Sequence, residues 1–450
     1  MNLMPSIPPD FLVPDPPTYI IQASSERKIE NPATTAIQPS NDLLLHQIKK
    51  RTPFSNSQFS SLTDHKIEII PQASENFNKE YRFLDLIKAQ TSTSPEITKR
   101  YQQLVYFYHH AGTYHQAAAV NKTEPIGFGI LAAEAPYIAQ LCEKAAEVTL
   151  TTVDLLKQGN NASGPLIQRY DSIIEHYQKA IDAKQECVDI VLRGKGGNRA
   201  LLKLHQKIAI NYEKSIEAEI KAIALQKGNS IDYDAIAKNY LLAIEMAEHI
   251  IETHKAIEMC GHEIAENCRA LPLQIETKSD DITSHSKIIN LNQQLTRYEK
   301  TIQRYQKIVQ DYEHAAQAKE LCHDNEAKLH IHLATSRYEA LKAFQENDTR
   351  SVNEWHLIAN NYEQALTANV TAAKISLTSK DDPLISRWNV VSFEYQVAAY
   401  CRIGALRARE ANNEPSYTSY TTQAINTETK VAQEAVALDN IQNSSSCVIM

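Results

Sequence analysis

Glycine is scarce in this chain, with 11 of its 450 residues, and proline contributes only 17. Because these two residues interrupt regular backbone structure, their scarcity favours long helices over sheets and loops. Long alternating apolar and polar runs, typical of half-buried strands, are also missing, and the best candidate, DHKIEIIPQ, is stopped by Pro71. We therefore predict an all-α fold, an array of antiparallel helical hairpins.

The chain also lacks the marks of several functional classes. No apolar run approaches the roughly 18 residues of a membrane span, and the first residues lack the basic region of a secretory signal. The formal net charge is −8 and both signs are interspersed, which argues against binding to nucleic acid or to a broad anionic surface. Seven scattered cysteines predict free thiols in a reducing compartment. Contact with a membrane would therefore need an anchor or a partner.

Composition divides the chain into three regions. Residues 1–75 hold most of the prolines and are predicted to be mostly disordered, a possible export signal, with one short helix over Asn41–Lys50. Residues 76–440 form the helical body, and residues 441–450 a flexible tail. Within the body, Leu271–Ser286 is the longest segment without a clear helical pattern. It could divide the body, so the sequence leaves open whether there are one or two helical domains.

Short clusters of turn-forming residues divide the body into helices. They are KTEPIGFG (122–129), KQGNNASGP (157–165), RGKGGN (193–198), QKGNS (226–230), QENDTRS (345–351), SKDDP (379–383) and ANNEPS (411–416). Each cluster is predicted to end one helix and to begin the next.

An aromatic pattern recurs along the body: an aromatic residue, an apolar residue three positions on, a tyrosine at seven and a small residue at ten. These offsets lie on one face of a helix, which suggests stacked repeat units whose small residues let a neighbouring helix approach closely. The aromatic pairs are Tyr170 and Tyr177, Tyr233 and Tyr240, Tyr305 and Tyr312, Trp355 and Tyr362, and Trp388 and Tyr395. Tyr212 carries the second half of the pattern alone.

The pattern resembles the first helix of the tetratricopeptide repeat (TPR), which has Trp-x2-Leu-Gly-x2-Tyr. WHLIANNY supplies Trp355, Ile358, Ala359 and Tyr362 at those positions. The likeness covers about residues 100 to 410, and it implies an array that binds peptides or proteins.

The sequence departs from the family after the tyrosine, because the helical pattern continues through EQALTANVTAAKI where the family turns. The closest match to the family's turn and second helix is HHAGTYHQAAAV, with Gly112, Tyr114 and Ala117. We therefore expect a TPR-like array with long helices.

One segment, HKAIEMCGHEIAENC, gathers His254, Cys260, His262 and Cys268. Cys260 and His262 are two positions apart, which directs them to different faces of a helix. A His-Glu-x-x-His zinc motif fails because Glu266 stands at the second histidine position. Structural roles are therefore favoured over a metal site.

Other candidate chemistry is weak. The glycines of LRGKGGN do not follow the order of a phosphate-binding loop. The histidines His109, His110, His330 and His332 have no nucleophile at a triad spacing. We predict no catalytic residue, no metal and no cofactor. An enzyme whose site is assembled from distant residues stays open as a hypothesis beside the non-enzymatic functions given below.

The last four residues, Cys447, Val448, Ile449 and Met450, match a prenylation box, and the terminal Met favours farnesyl. The tail resembles those of farnesylated small GTPases, which implies a prenyltransferase acting on the Cys447 thiolate. One lipid chain gives only marginal membrane binding. No basic cluster lies nearby, because the last lysine is Lys430. A second contact must then come from the helical body.

Together these features resemble effectors that intracellular bacteria deliver into eukaryotic cells. The expected function is a non-enzymatic adaptor, farnesylated at Cys447, which binds a protein on the cytosolic face of a host membrane and no nucleic acid. The alternative is a soluble, cytoplasmic TPR-like scaffold or chaperone whose tail matches by coincidence.

Overall fold

The computed structural model describes residues 70–89, 94–121, 129–159, 164–192, 199–225, 231–274, 281–380 and 382–447. These residues form eleven α-helices and no strand, so the all-α prediction is confirmed. The helices are α1 Pro71–Ala89, α2 Pro95–Asn121, α3 Gly129–Gln158, α4 Gly164–Leu192, α5 Arg199–Ala224, α6 Tyr233–Gln274, α7 Asp281–Glu320, α8 Asp324–Gln345, α9 Thr349–Thr378, α10 Pro383–Glu410 and α11 Glu414–Cys447. Residues 1–69, with the helix expected over Asn41–Lys50, lie outside the described part.

Each helix packs on the helices before and after it in the chain, from α1 on α2 through α10 on α11. This consecutive packing is the helical-hairpin array that the sequence predicts. The described helices all belong to one compact unit, Lys66–Met450. The segment Leu271–Ser286 contains the end of α6 and the start of α7, which have 42 and 40 residues and pack on each other.

The turn clusters of the sequence coincide with helix boundaries, and in those that the structure describes side chains cap the following helix. Asp348 in QENDTRS accepts a hydrogen bond from the backbone N–H of Ser351 at 3.0 Å, and α9 begins beside it. Asp382 in SKDDP accepts one from the N–H of Leu384 at 2.8 Å, with Pro383 in the first helical position.

Sequence reasoning missed two boundaries, one around residues 90–94 and one at Leu321–His323. The second has the same geometry as two turns that were found, Glu346–Asp348 and Ala411–Asn413. In each, the N–H after a left-handed residue donates to a carbonyl five positions earlier, as from His323 to Ala318 at 2.8 Å. The left-handed residues are Cys322, Asn347 and Asn412, with φ of 60°, 63° and 53°. Asparagine tolerates this conformation and cysteine does not favour it, so the Cys322 turn carried no signal.

Replacing Cys322 by glycine is expected to stabilise the protein by about 0.5–1 kcal/mol. Glycine relieves the strain of the left-handed backbone conformation. The resulting gain in stability is partly offset by the greater conformational entropy of glycine in the unfolded chain. Cys322 is exposed, so little packing is lost. Thermal denaturation should show a higher melting temperature. Cys268→Gly, at an exposed position inside α6, is the control and should lower it; a fall in both variants would contradict the assignment of strain to Cys322.

The TPR-like turn expected at HHAGTYHQAAAV is wrong, because α2 continues from Pro95 to Asn121 through Gly112. Gly112 is a packing residue instead. A Cβ atom at this position would lie 2.7 Å from Cε1 of Phe77 in α1. Glycine here lets an aromatic ring approach the helix backbone. Because the ring belongs to another helix, the local sequence around Gly112 wrongly suggested a turn.

Candidate functional site

The structure buries the second tyrosine of each repeat. Tyr240 and Tyr362 are among the largest fully buried side chains of the described residues, with exposed fractions of 0% and 1%. The others are also buried: Tyr177, Tyr212, Tyr312 and Tyr395. Of the first aromatics, Tyr305 and Trp388 are buried, while Tyr170, Tyr233 and Trp355 are partly buried. The aromatic face is thus part of the core between helices.

The small residue at offset ten marks a close approach between neighbouring helices. It is fully buried in every repeat: Ala180, Ser215, Ala243, Ala315, Ala365 and Ala398. The Oγ of Ser392 on α10 donates a 2.8 Å hydrogen bond to the backbone carbonyl of Ala365 on α9. Ser215 on α5 donates similarly to the carbonyl of Ala237 on α6, at 3.3 Å. A side chain of one helix thus reaches the backbone of the next.

A feature that sequence reasoning missed is the buried polar residue immediately before the second tyrosine. It is buried in five repeats: His176, Asn211, Asn239, Asp311 and Asn361. Asn211 on α5 donates to Glu313 on α7 at 2.7 Å, and Asn361 on α9 donates to Glu428 on α11 at 2.6 Å. These bonds join helices two apart in the chain. The signal was present in the sequence as the repeated dipeptide Asn-Tyr.

Alternate helices therefore lie close to each other, and grooves form between α7, α9 and α11. One groove, of about 470 Å³, lies between α7, α8 and α9 and is lined by cationic side chains, including Arg304, Lys307 and Arg337. A second groove, of about 410 Å³, lies between α9 and α11. Its walls include Leu357 and Val436.

An ion-pair network centred on the buried Arg402 includes Glu428, which lines the second groove. The Arg402 guanidinium on α10 donates to both carboxylate oxygens of Glu428 on α11, at 2.5 and 2.6 Å, and to Glu354 on α9 at 3.2 Å. Arg402 is 6% exposed, and its hydrogen bonds to Glu428 raise its pKa. Asn361 donates to the same Glu428 carboxylate. One arginine thus connects three helices.

The four residues of the sequence-predicted His/Cys cluster do not converge. Cys260 is buried, and its thiol lies 3.5 Å from the carbonyl of Leu291, whereas His262 and Cys268 are exposed and His254 is partly buried. Throughout the described residues, no group of three His, Cys, Asp or Glu side chains is placed to hold a metal ion.

The other candidate histidines take part in packing. Burial lowers the pKa of His110 and of His330 to about 4. The Nδ1 atom of His110 lies 2.8 Å from the carbonyl of Tyr106, so it donates there in the neutral ring. The His332 ring stacks on Tyr362 with centroids 5.0 Å apart. The glycine segment at 193–198 lies outside the described residues.

The helix α11 ends at Cys447, so it includes residues 441–447 of the expected flexible tail. Val448, Ile449 and Met450 lie outside the described residues. The last side chain of α11 that is fully buried among those described is Leu438. Of the helices in the described ranges, none has a stretch that is both long and apolar enough to cross a membrane.

No protein-family model matches the chain, and no curated protein matches it.

Proposed function

We propose that this chain is a non-enzymatic adaptor, whose helical array binds a protein partner and whose Cys447 carries a farnesyl group that holds it at a membrane. The observation that carries the proposal is the sequence Cys447-Val448-Ile449-Met450. A prenyltransferase reads this motif when Met450 carries the free carboxylate. Because prenylation is a eukaryotic modification, the membrane belongs to a eukaryotic cell, a host cell if the chain is a secreted bacterial effector.

The position of Cys447 relative to the body supports an anchor of limited reach. The last nine residues of α11 follow Leu438, and at a rise of about 1.5 Å per residue they extend roughly 13 Å. An anchor at Cys447 would hold the α9–α11 end of the array near the membrane surface. A protein partner on that membrane would then meet this end of the array.

The body must supply a second contact, because one lipid chain binds membranes only marginally. The nearest lysine, Lys430, is engaged with Glu394 on α10 at 2.8 Å and does not form a basic cluster at the tail. The groove between α9 and α11 offers a surface of mixed character for a protein partner. Leu357 is 40% exposed and Val436 is 60% exposed on its walls, and Asp439 adds a carboxylate.

Intact mass of the protein expressed in a eukaryotic cell tests the proposal. We expect a gain of one farnesyl group and loss of the last three residues. Cys447→Ser should remain unmodified and should lower the membrane-bound fraction by on the order of tenfold, since the apolar chain is the main anchor. The fold should be unchanged.

The matched control is Cys268→Ser, which removes an exposed thiol of α6 and should leave both mass gain and membrane binding intact. An unmodified wild-type mass, with Met450 still present, would contradict the anchor. The TPR-like scaffold or chaperone without a lipid would then be the better account of the chain.

A further inference from the structure

The groove between α7, α8 and α9 concentrates positive charge in a chain whose net charge is −8. We call it the basic groove. Its charged and titratable lining consists of Lys300, Arg304 and Lys307 of α7, Arg337 of α8, and His356 and Glu363 of α9. The three α7 cations are spaced four and three positions apart, so that they share one helix face. Like charges at this spacing repel each other, which destabilises the helix slightly. A bound anion would turn this repulsion into attraction.

Arg304 is the cation of the basic groove whose hydrogen-bonding groups are least satisfied by the protein. Its Nη1 atom is buried and has no hydrogen-bond partner among the described residues. Its guanidinium carbon lies 3.9 Å from the centroid of the Phe344 ring on α8, which fixes the side chain in position. Burial lowers the pKa of Arg304, and no carboxylate contributes in the opposite direction. Arg304 as a whole is partly exposed at the groove, but a buried N–H without an acceptor is costly, and an anion in the groove could supply acceptors to this guanidinium.

The charges facing the groove do not cancel. Arg337 is already satisfied, because it donates to both carboxylate oxygens of Asp311, at 2.9 and 2.7 Å, and to Glu363 at 3.0 Å. In contrast, Lys300 and Lys307 form no salt bridge within the described part of the chain, although the charge of Lys307 lowers the pKa of Asp311 and so acts on it from a longer distance. The pKa of His356 is lowered by burial and then by Arg304, Lys307 and Arg337, so this ring senses the local positive field.

We propose that the basic groove binds a small ligand carrying several phosphate groups, such as a phosphorylated inositol ring. Its volume of about 470 Å³ is that of a small-molecule site. Three cations that form no salt bridge with the described residues, two amines and one guanidinium held against Phe344, line one wall, and Lys and Arg are the residues that bind phosphate oxygens. The lining contains one apolar residue, Ala359, and so has no pockets for the side chains of a peptide.

This site goes beyond the proposed adaptor function and does not depend on the lipid at Cys447. The same chemistry is presented by a free inositol phosphate and by a phosphoinositide headgroup in a membrane. In the second case the basic groove would supply the additional contact that a single farnesyl chain needs. The protein produced in bacteria, which is not prenylated, separates the two proposals.

Calorimetric titration of this full chain with a soluble inositol trisphosphate is the test. Arg304→Met should weaken binding by about ten- to hundredfold, because a charged hydrogen bond to phosphate is lost. Lys307→Gln, at an exposed position, should weaken it by a smaller factor. The signals of the His356 ring, followed by NMR, should titrate at higher pH when the ligand is bound, because the phosphates offset the neighbouring cations.

Lys374→Gln is the control, since it removes an exposed lysine of α9 that does not line the groove. Vesicles with phosphatidylinositol bisphosphate, compared with phosphatidylserine vesicles of equal charge, distinguish the source of the phosphates. Binding to the bisphosphate vesicles indicates a membrane headgroup, and binding to the soluble trisphosphate alone indicates a free metabolite. No binding to either, binding that Arg304→Met and Lys307→Gln leave unchanged, or preference for an acidic peptide over the trisphosphate would overturn the proposal.

Discussion

Replacing Arg402 by alanine is expected to destabilise the protein by about 2–3 kcal/mol. Arg402 is almost fully buried, and its guanidinium binds Glu428 through two parallel hydrogen bonds and Glu354 through a third. Alanine would leave the Glu428 carboxylate, which is 23% exposed at the groove, with the Asn361 amide as its remaining donor among these neighbours. The cost is mainly that of the lost charge-assisted hydrogen bonds and of the packing of the buried arginine, since water at the groove can solvate part of the carboxylate.

Urea denaturation measures this loss, but a long array of helices need not unfold in one step. Hydrogen exchange resolves the loss by region, and we expect protection to fall in α9, α10 and α11 first. Arg387→Ala is the matched control, because Arg387 forms an exposed ion pair with Glu434 between the same two helices, α10 and α11. It should cost at most about 1 kcal/mol. Equal losses in the two variants would contradict the view that the Arg402 hydrogen bonds stabilise the protein more than an exposed ion pair does.

The fold was predictable from the sequence because its signals are local. Few glycines, capping residues in short clusters and apolar residues on one helix face each act within one or two turns. The boundaries at QENDTRS and SKDDP follow from the caps Asp348 and Asp382. The boundary at Leu321–His323 could not be predicted in this way, because Cys322 adopts a left-handed backbone conformation that cysteine disfavours.

Contacts between distant segments were not predictable. Arg402 lies in the sequence AYCRIGALRARE, where nothing distinguishes it from the other arginines of the helix. It is buried only because α10 packs between α9 and α11. Gly112 was taken for a turn because its partner, Phe77, lies 35 positions earlier. Similarly, the spacing of Lys300, Arg304 and Lys307 is visible in the sequence, whereas Arg337 and His356 join them only through the stacking of helices. The match to a prenylation box depends on four adjacent residues and on no tertiary contact, so it stays a prediction from the sequence alone.

Replacing Tyr240 by alanine is the second large effect that we expect, a loss of about 3–5 kcal/mol. Tyr240 is 0% exposed and packs with Ala218 of α5, Ile236 of α6 and Ala316 of α7. Because its neighbours include alanines, which cannot extend into the space left by the ring, the cavity would persist and add to the lost burial. Burial raises the pKa of the Tyr240 hydroxyl, which donates to Glu320 at 3.3 Å.

Tyr240→Phe separates the ring from the hydroxyl, and it should cost about 1 kcal/mol or less because only a long hydrogen bond is removed. Tyr81→Ala, at a tyrosine 64% exposed on α1, should change stability by about 0.5 kcal/mol or less. Urea denaturation with hydrogen exchange should place the Tyr240→Ala loss in α5, α6 and α7. If α9–α11 keep their protection in this variant, the array is stabilised unit by unit, as stacked repeats require. If protection falls equally in all helices, the array unfolds as one cooperative body, and the aromatic pattern marks a common core instead of separable repeats.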